Sequence, residues 1–295
     1  MAMRVLENEL LKVMIADSGA ELSSVYDKEK QTERLWDANP EVWNRHAPIL
    51  FPFVGKVIGG VYRINGQEYE MKTQHGFARD MEFECVEAAE TSVTHRLLPT
   101  EKTKQLYPFE YELLVTHKLD AENPRLLHVN WEVKNNGSDV MYYSIGGHPA
   151  FTVPVKESKE RENYYLEFPD APIRRVEFTP ACFITGKEDP FEIEKHRYPL
   201  HHTMFNDDAI VLKGVAGWTR LASSKGSRAV TLIAPDLPVY GFWHMPKTDA
   251  PYVCIEPWSS LPSRQDVVEE FSCKSDMIQL APRNTYENQW SITVF

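Results

Sequence analysis

Leu127, Val129, Trp131 and Val133 are apolar, whereas His128, Asn130, Glu132 and Lys134 are polar, so this segment alternates with a period of two. Side chains on a strand point to opposite faces in turn, whereas a helix repeats every 3.6 residues, so the pattern specifies a half-buried strand. The preceding segment repeats it. Leu113, Val115, His117 and Leu119 lie on one face, and Leu114, Thr116, Lys118 and Asp120 on the other. The stretch from Asp120 to Arg125 is a hairpin connection, which makes the pair antiparallel.

Turn chemistry carries the same message along the chain. Asn65-Gly66 separates Tyr62-Arg63-Ile64 from Glu68-Tyr69-Glu70-Met71, and Asn135-Asn136-Gly137 ends the Trp131 strand. Further short strands are expected at Ala229-Val230-Thr231-Leu232-Ile233 and Tyr252-Val253-Cys254-Ile255. Twenty prolines are spread throughout and no long segment keeps a capped helical period. The expected fold is all-β, a mostly antiparallel sandwich, and one continuous domain over residues 1–295 is the simplest organisation. The charged run Lys156-Glu157-Ser158-Lys159-Glu160-Arg161-Glu162 reads as a solvated loop.

Composition narrows the function classes. With 43 acidic against 32 basic residues and a net charge of −11, the chain lacks the basic footprint expected for nucleic acid or an anionic membrane. The first residues run into charged positions without an apolar signal stretch, and nowhere is there a run of about eighteen apolar residues. A soluble cytoplasmic protein is expected. Cys85, Cys182, Cys254 and Cys273 are widely spaced with no C-x-x-C pair, so they read as free thiols. His201-His202 is a poor metal pair, because neighbours on a strand face opposite ways. No Gly-x-Ser-x-Gly or Walker-type loop is present.

Four segments combine titratable groups with constrained backbone. Asn44-Arg45-His46-Ala47-Pro48-Ile49-Leu50-Phe51-Pro52 sets an arginine beside a rigid extended run, able to aim a fork of donors at hydroxyls or to make a surface ion pair. In Gln74-His75-Gly76 the glycine permits close approach of a ligand, or merely a tight turn. Ser144-Ile145-Gly146-Gly147-His148-Pro149-Ala150-Phe151 fixes an unusual path around one histidine. Val253-Cys254-Ile255-Glu256-Pro257-Trp258 places a carboxylate at the end of an apolar strand, where desolvation would raise its pKa toward that of a general base.

Taken in order, these segments, with Asp207-Asp208-Ala209-Ile210, resemble the aldose 1-epimerase (galactose mutarotase) family, in particular its LacX-like branch. The resemblance implies a β-supersandwich with an open cleft and a small-molecule sugar as substrate. It implies that Glu256 takes the proton of the anomeric hydroxyl and that His148 gives one to the ring oxygen. His75, counted with them in the acid–base set, and Arg45 would hold the sugar, and Asp207 or Asp208 would bind its hydroxyls. Trp258 and Trp243 are candidates to stack on a pyranose face. The chemistry needs no cofactor and no metal. Arg45, Lys56 and Arg79 flank these segments, so a hexose 6-phosphate is the alternative substrate. A non-catalytic carbohydrate binder and a glycosidase using Glu256 with Asp207 or Asp208 are the other readings.

Overall fold

The computed structural model describes residues 2–154, 158–201 and 203–295. The expected hairpin forms as Tyr111–Leu119 and Leu126–Asn135, paired antiparallel from Tyr111 opposite Asn135 to Leu119 opposite Leu127. Burial alternates strictly along the second strand, as the period of two requires. The Asp120 carboxylate accepts the amides of Glu122 and Asn123 and so fixes the connection. Each large apolar side chain buried here stabilises the fold by about 1.5–3 kcal/mol.

These two strands sit inside a nine-stranded sheet. Its order is Arg197–Pro199, Tyr164–Glu167, Trp218–Ser223, Ala229–Ile233, Thr285–Val294, Leu126–Asn135, Tyr111–Leu119, Ser92–Leu97 and Glu84–Ala88. An eight-stranded sheet runs Ile184–Pro190, Arg174–Phe178, Ile210–Lys213, Val239–Trp243, Tyr252–Trp258, Gly146–Gly147 and Ile49–Leu50. Ala150–Thr152 pairs off this path with Tyr252–Trp258. Inward side chains of both sheets, such as Trp131 and Val133 from one and Phe242 and Ile255 from the other, merge in a common core. The architecture is an all-β sandwich.

Among the described residues the sole α-helix is Glu101–Leu106, capped by the Thr100 hydroxyl accepting the Thr103 amide at 3.1 Å. At six residues it is too short to show a helical period in sequence. Among the described residues no helix is long and apolar enough to cross a membrane.

The run from Lys156 to Glu162 departs from expectation. Residues 156 and 157 lie outside the described residues, but Ser158–Asn163 is a 3₁₀ turn and not an open loop. Within it Arg161 is buried, its guanidinium donating to the Ala250 carbonyl. A charged side chain that caps a backbone acceptor under the fold is indistinguishable in sequence from a solvated one. His202 also lies outside the described residues, so the structure does not address the His201-His202 pair.

His117 occupies an inward position of its strand, fully enclosed beside His95, and burial first, then the nearby His95 ring, pushes its pKa down to about 3. The unfolded chain then binds a proton that the folded chain refuses between pH 6.5 and about 3. Stability is therefore fully present above pH 6.5 and falls on acidification, by about 1.4 kcal/mol per pH unit for this one group. Urea titrations at pH 7 and pH 5 are expected to show this loss, reduced in His117→Leu. A stability independent of pH across that window would contradict it.

Candidate active site

The strand Tyr252–Trp258 is buried along its whole length and organises the site. Gly146 pairs with Trp258 on one side of His148, and Ala150 pairs with Cys254 on the other. By continuation of that register residue 148 falls opposite residue 256, and the His148 Nε2 lies 3.1 Å from the Glu256 carboxylate. Gly146 has to be glycine because a Cβ there would sit 2.8 Å from the Trp258 indole. Gly146 thus lets the chain pass under Trp258, Gly147 packs against the Trp290 indole, and the histidine follows.

His75 arrives by a different route. It sits at φ +66° with Gly76 at φ +72°, a left-handed pair in which the second residue must lack a side chain. A Cβ on Gly76 would run into the carbonyl of Phe51, which already accepts the amides of Phe77 and Ala78 at 3.0 and 3.1 Å. The His75 amide donates to the Gly55 carbonyl at 2.7 Å, and the Gly55 amide donates back to His75 Nδ1 at 3.0 Å. With Nδ1 used as an acceptor, the ring proton belongs on Nε2. The His75 and His148 rings meet edge to face at 5.5 Å between centroids.

A cleft of about 280 Å³ opens over these three groups, a volume suited to one small polar molecule. Trp43, Trp243, Trp258 and Phe178 supply aromatic walls, and Lys56, Gln74, Arg79 and Asp208 supply polar ones. Trp43 lies 5.0 Å from the His148 ring and 5.4 Å from Trp243 between ring centres.

Electrostatics in the cleft follow from burial. Glu256 is 1% exposed and His148 6%. Burial first, and then the Asp208 charge, push the Glu256 carboxyl well above its ordinary range. Burial also pushes His148 down to about 3, and His75 well below the usual histidine value. Each group alone resists ionisation, yet their nitrogen and oxygen lie 3.1 Å apart, close enough for one proton to pass between them. Asp208, at φ +84°, receives the Ala209 amide at 2.8 Å and the Cys182 thiol. That thiol is held up at about 11 by burial and by the same carboxylate, and so stays protonated.

Glu256, His148, His75 and Asp208 therefore converge on one cleft. Asp207 is exposed and faces an adjoining depression with Arg175 and Lys247. Arg45 does not line the cleft either. Its guanidinium bonds the Glu21 carboxylate at 3.3 Å, the Arg79 carbonyl at 3.0 Å and the Asp80 carboxylate, while Glu21 also accepts the amides of His46 and Ala47. Flanking carboxylates have turned this arginine into a strut between the Trp43 loop and the Arg79 turn. Arg79 is the arginine that reaches the cleft, with its Nε buried and unpartnered. Trp43 escaped sequence reasoning, although its place two residues before Arg45 was a usable signal.

Comparison with known proteins adds independent evidence. A model of the aldose 1-epimerase family matches residues 3–293. The chain is 30% identical to "Protein LacX, chromosomal" of Lactococcus lactis subsp. lactis, over 98% of each sequence. Among solved structures, a galactose mutarotase related enzyme from Lactobacillus acidophilus superposes with a TM-score of 0.92 at 32% identity, covering 100% of this chain and 97% of that one. A galactose mutarotase-like protein from Lactobacillus casei gives 0.93 at 31% identity, with both chains fully covered.

Proposed function

The chain belongs to the aldose 1-epimerase family, and from that premise we propose that it interconverts the α and β anomers of a free hexose by opening and reclosing the ring. The observation that carries the proposal is the direct 3.1 Å contact of a buried carboxylate with a buried imidazole at the floor of a sugar-sized cleft. The anomeric hydroxyl and the ring oxygen are attached to the same carbon, so two catalytic groups must sit side by side to serve both.

Proton balance follows from this pair. With the proton on His148, Glu256 is an anion able to accept the C1 hydroxyl proton while His148 delivers its own to the ring oxygen. The C1–O5 bond breaks, a C=O bond forms at C1, and the pair ends as neutral imidazole and carboxylic acid. Burial favours this neutral tautomer over the ion pair, so the dry cleft lowers the energy of the opened state relative to the closed one. Rotation about C1–C2 and reversal of both transfers yield the other anomer.

His75 plays a different part. Protonating its Nδ1 would break the bond from the Gly55 amide, so it stays neutral with its Nε2 beside the Gln74 side-chain amide at 3.1 Å, and the two side chains together hold a sugar hydroxyl. Asp208 and Arg79 take further hydroxyls, and the indole of Trp43 covers a ring face. The test is to follow freshly dissolved α-glucose and α-galactose by polarimetry or NMR with and without protein. Acceleration beyond the spontaneous rate is expected, and it should persist in excess chelator. Binding without acceleration would leave a carbohydrate-binding protein.

One observation favours a second substrate. Lys56 and Arg79 both line the cleft, and neither side chain makes an ion pair or hydrogen bond there among the described residues. Two free cations suit a phosphate, so glucose 6-phosphate belongs in the same assay. Acceleration of the phosphate alone would make the chain a hexose-6-phosphate epimerase.

A further inference from the structure

Cys254 precedes Glu256 by two residues on the same strand, so both side chains point to the same face, and the register that sets His148 opposite Glu256 brings the imidazole over them. The ligating atoms of His148, Cys254 and Glu256 all lie within 4.8 Å of one another, and all three residues are buried. The Cys254 thiol makes no hydrogen bond among the described residues and is not in a disulfide. Nothing in the ring-opening chemistry uses it.

We propose that His148, Cys254 and Glu256 form a binding site for a thiophilic divalent cation, Zn²⁺ in particular, whose occupancy shuts off the acid–base pair. Three donors of the types N, S and O are the set that zinc takes when a fourth position stays open, and two of them, His148 and Glu256, line the cleft, which gives the ion its access route to the Cys254 sulfur behind them. Donors bound at about 2.0–2.3 Å to a tetrahedral ion stand roughly 3.5 Å apart, so the preformed cluster needs only a small contraction. Charge supports the assignment. A thiolate and a carboxylate together neutralise the dication, and the imidazole adds no charge, so the occupied site is electrically neutral in a region that resists net charge. Binding releases the thiol proton and any proton held between His148 and Glu256 and involves no redox change. The soft sulfur selects against Mg²⁺ and Ca²⁺.

Metal binding goes beyond the epimerase reading, and only the shut-off rests on it. The experiment titrates Co²⁺ into full-length protein that has been stripped with chelator and kept reduced with a phosphine. One equivalent is expected to produce the thiolate-to-cobalt charge-transfer band and the visible bands of a tetrahedral ion, both erased by Zn²⁺. Cys254→Ala is expected to lose the charge-transfer band and to bind at least about 100-fold more weakly. In the sugar assay one equivalent of Zn²⁺ should slow the wild type more than tenfold, reversibly with chelator, and leave Cys254→Ala at its metal-free rate. Cys254→Ser serves in the same role if the alanine variant does not fold. A charge-transfer band that is absent, or that survives in Cys254→Ala as ligation by Cys182 or Cys273 would make it, overturns the proposal. A band with no slowing keeps the metal site and overturns the roles given to Glu256 and His148.

Discussion

Replacing Glu256 by glutamine is expected to lower the rate of anomer exchange by at least about 10²-fold and as much as about 10⁴-fold, while sugar binding stays within a few-fold of wild type. Glutamine keeps the shape of the side chain and its place beside His148 Nε2, so the cleft retains its walls. It cannot accept the C1 hydroxyl proton, and His148 then has no partner with which to exchange one. Folding should not suffer, because the substitution removes a buried group that resists ionisation. Rate and affinity have to be measured together, the first by polarimetry and the second by calorimetry or tryptophan fluorescence. Equal rates for variant and wild type would remove Glu256 from the mechanism. A parallel loss of binding would make it a ligand-holding group instead.

The second large effect is expected at Gly76. Alanine there meets two penalties: a left-handed backbone unfavourable by about 1–2 kcal/mol for a residue with a Cβ, and overlap with the Phe51 carbonyl. That carbonyl is fixed by the amides of Phe77 and Ala78 and cannot retreat without breaking hydrogen bonds. Overpacking of this kind adds about 1–3 kcal/mol, so Gly76→Ala should destabilise the protein by about 2–5 kcal/mol. Urea denaturation reads the loss. Because His75 is the adjacent residue, the variant should also bind sugar less tightly than a stability change alone explains. A loss below about 1 kcal/mol would mean that the turn shifts as a unit and relieves the contact.

The hairpin from Tyr111 to Asn135 was legible because local alternation and turn residues state it outright. The order of strands in the two sheets was not, since pairings such as Thr285–Val294 with Leu126–Asn135 join segments far apart in the chain and leave no local trace. The same division holds in the cleft. Glu256 and His148 stood out through the prolines and glycines around them, but their opposition depends on a register between distant strands. Arg45 looked like the arginine of the site because it adjoins the Pro48–Pro52 segment. Its fate was decided by Glu21 and Asp80, which sequence separates from it by 24 and 35 residues. Of Asp207 and Asp208 it is the second that lines the cleft, from a left-handed backbone position that neither alternation nor composition reveals.

The strand that carries Glu256 is flanked by backbone pairing on both sides, with Val239–Trp243 on one edge and the two short segments around His148 on the other. Amide hydrogens in such a position exchange with solvent only when the whole sheet opens. Heating should therefore leave turnover rising smoothly until the protein melts, with no earlier temperature at which the site alone gives way, and the slowest-exchanging amides of the molecule should include those beside its base.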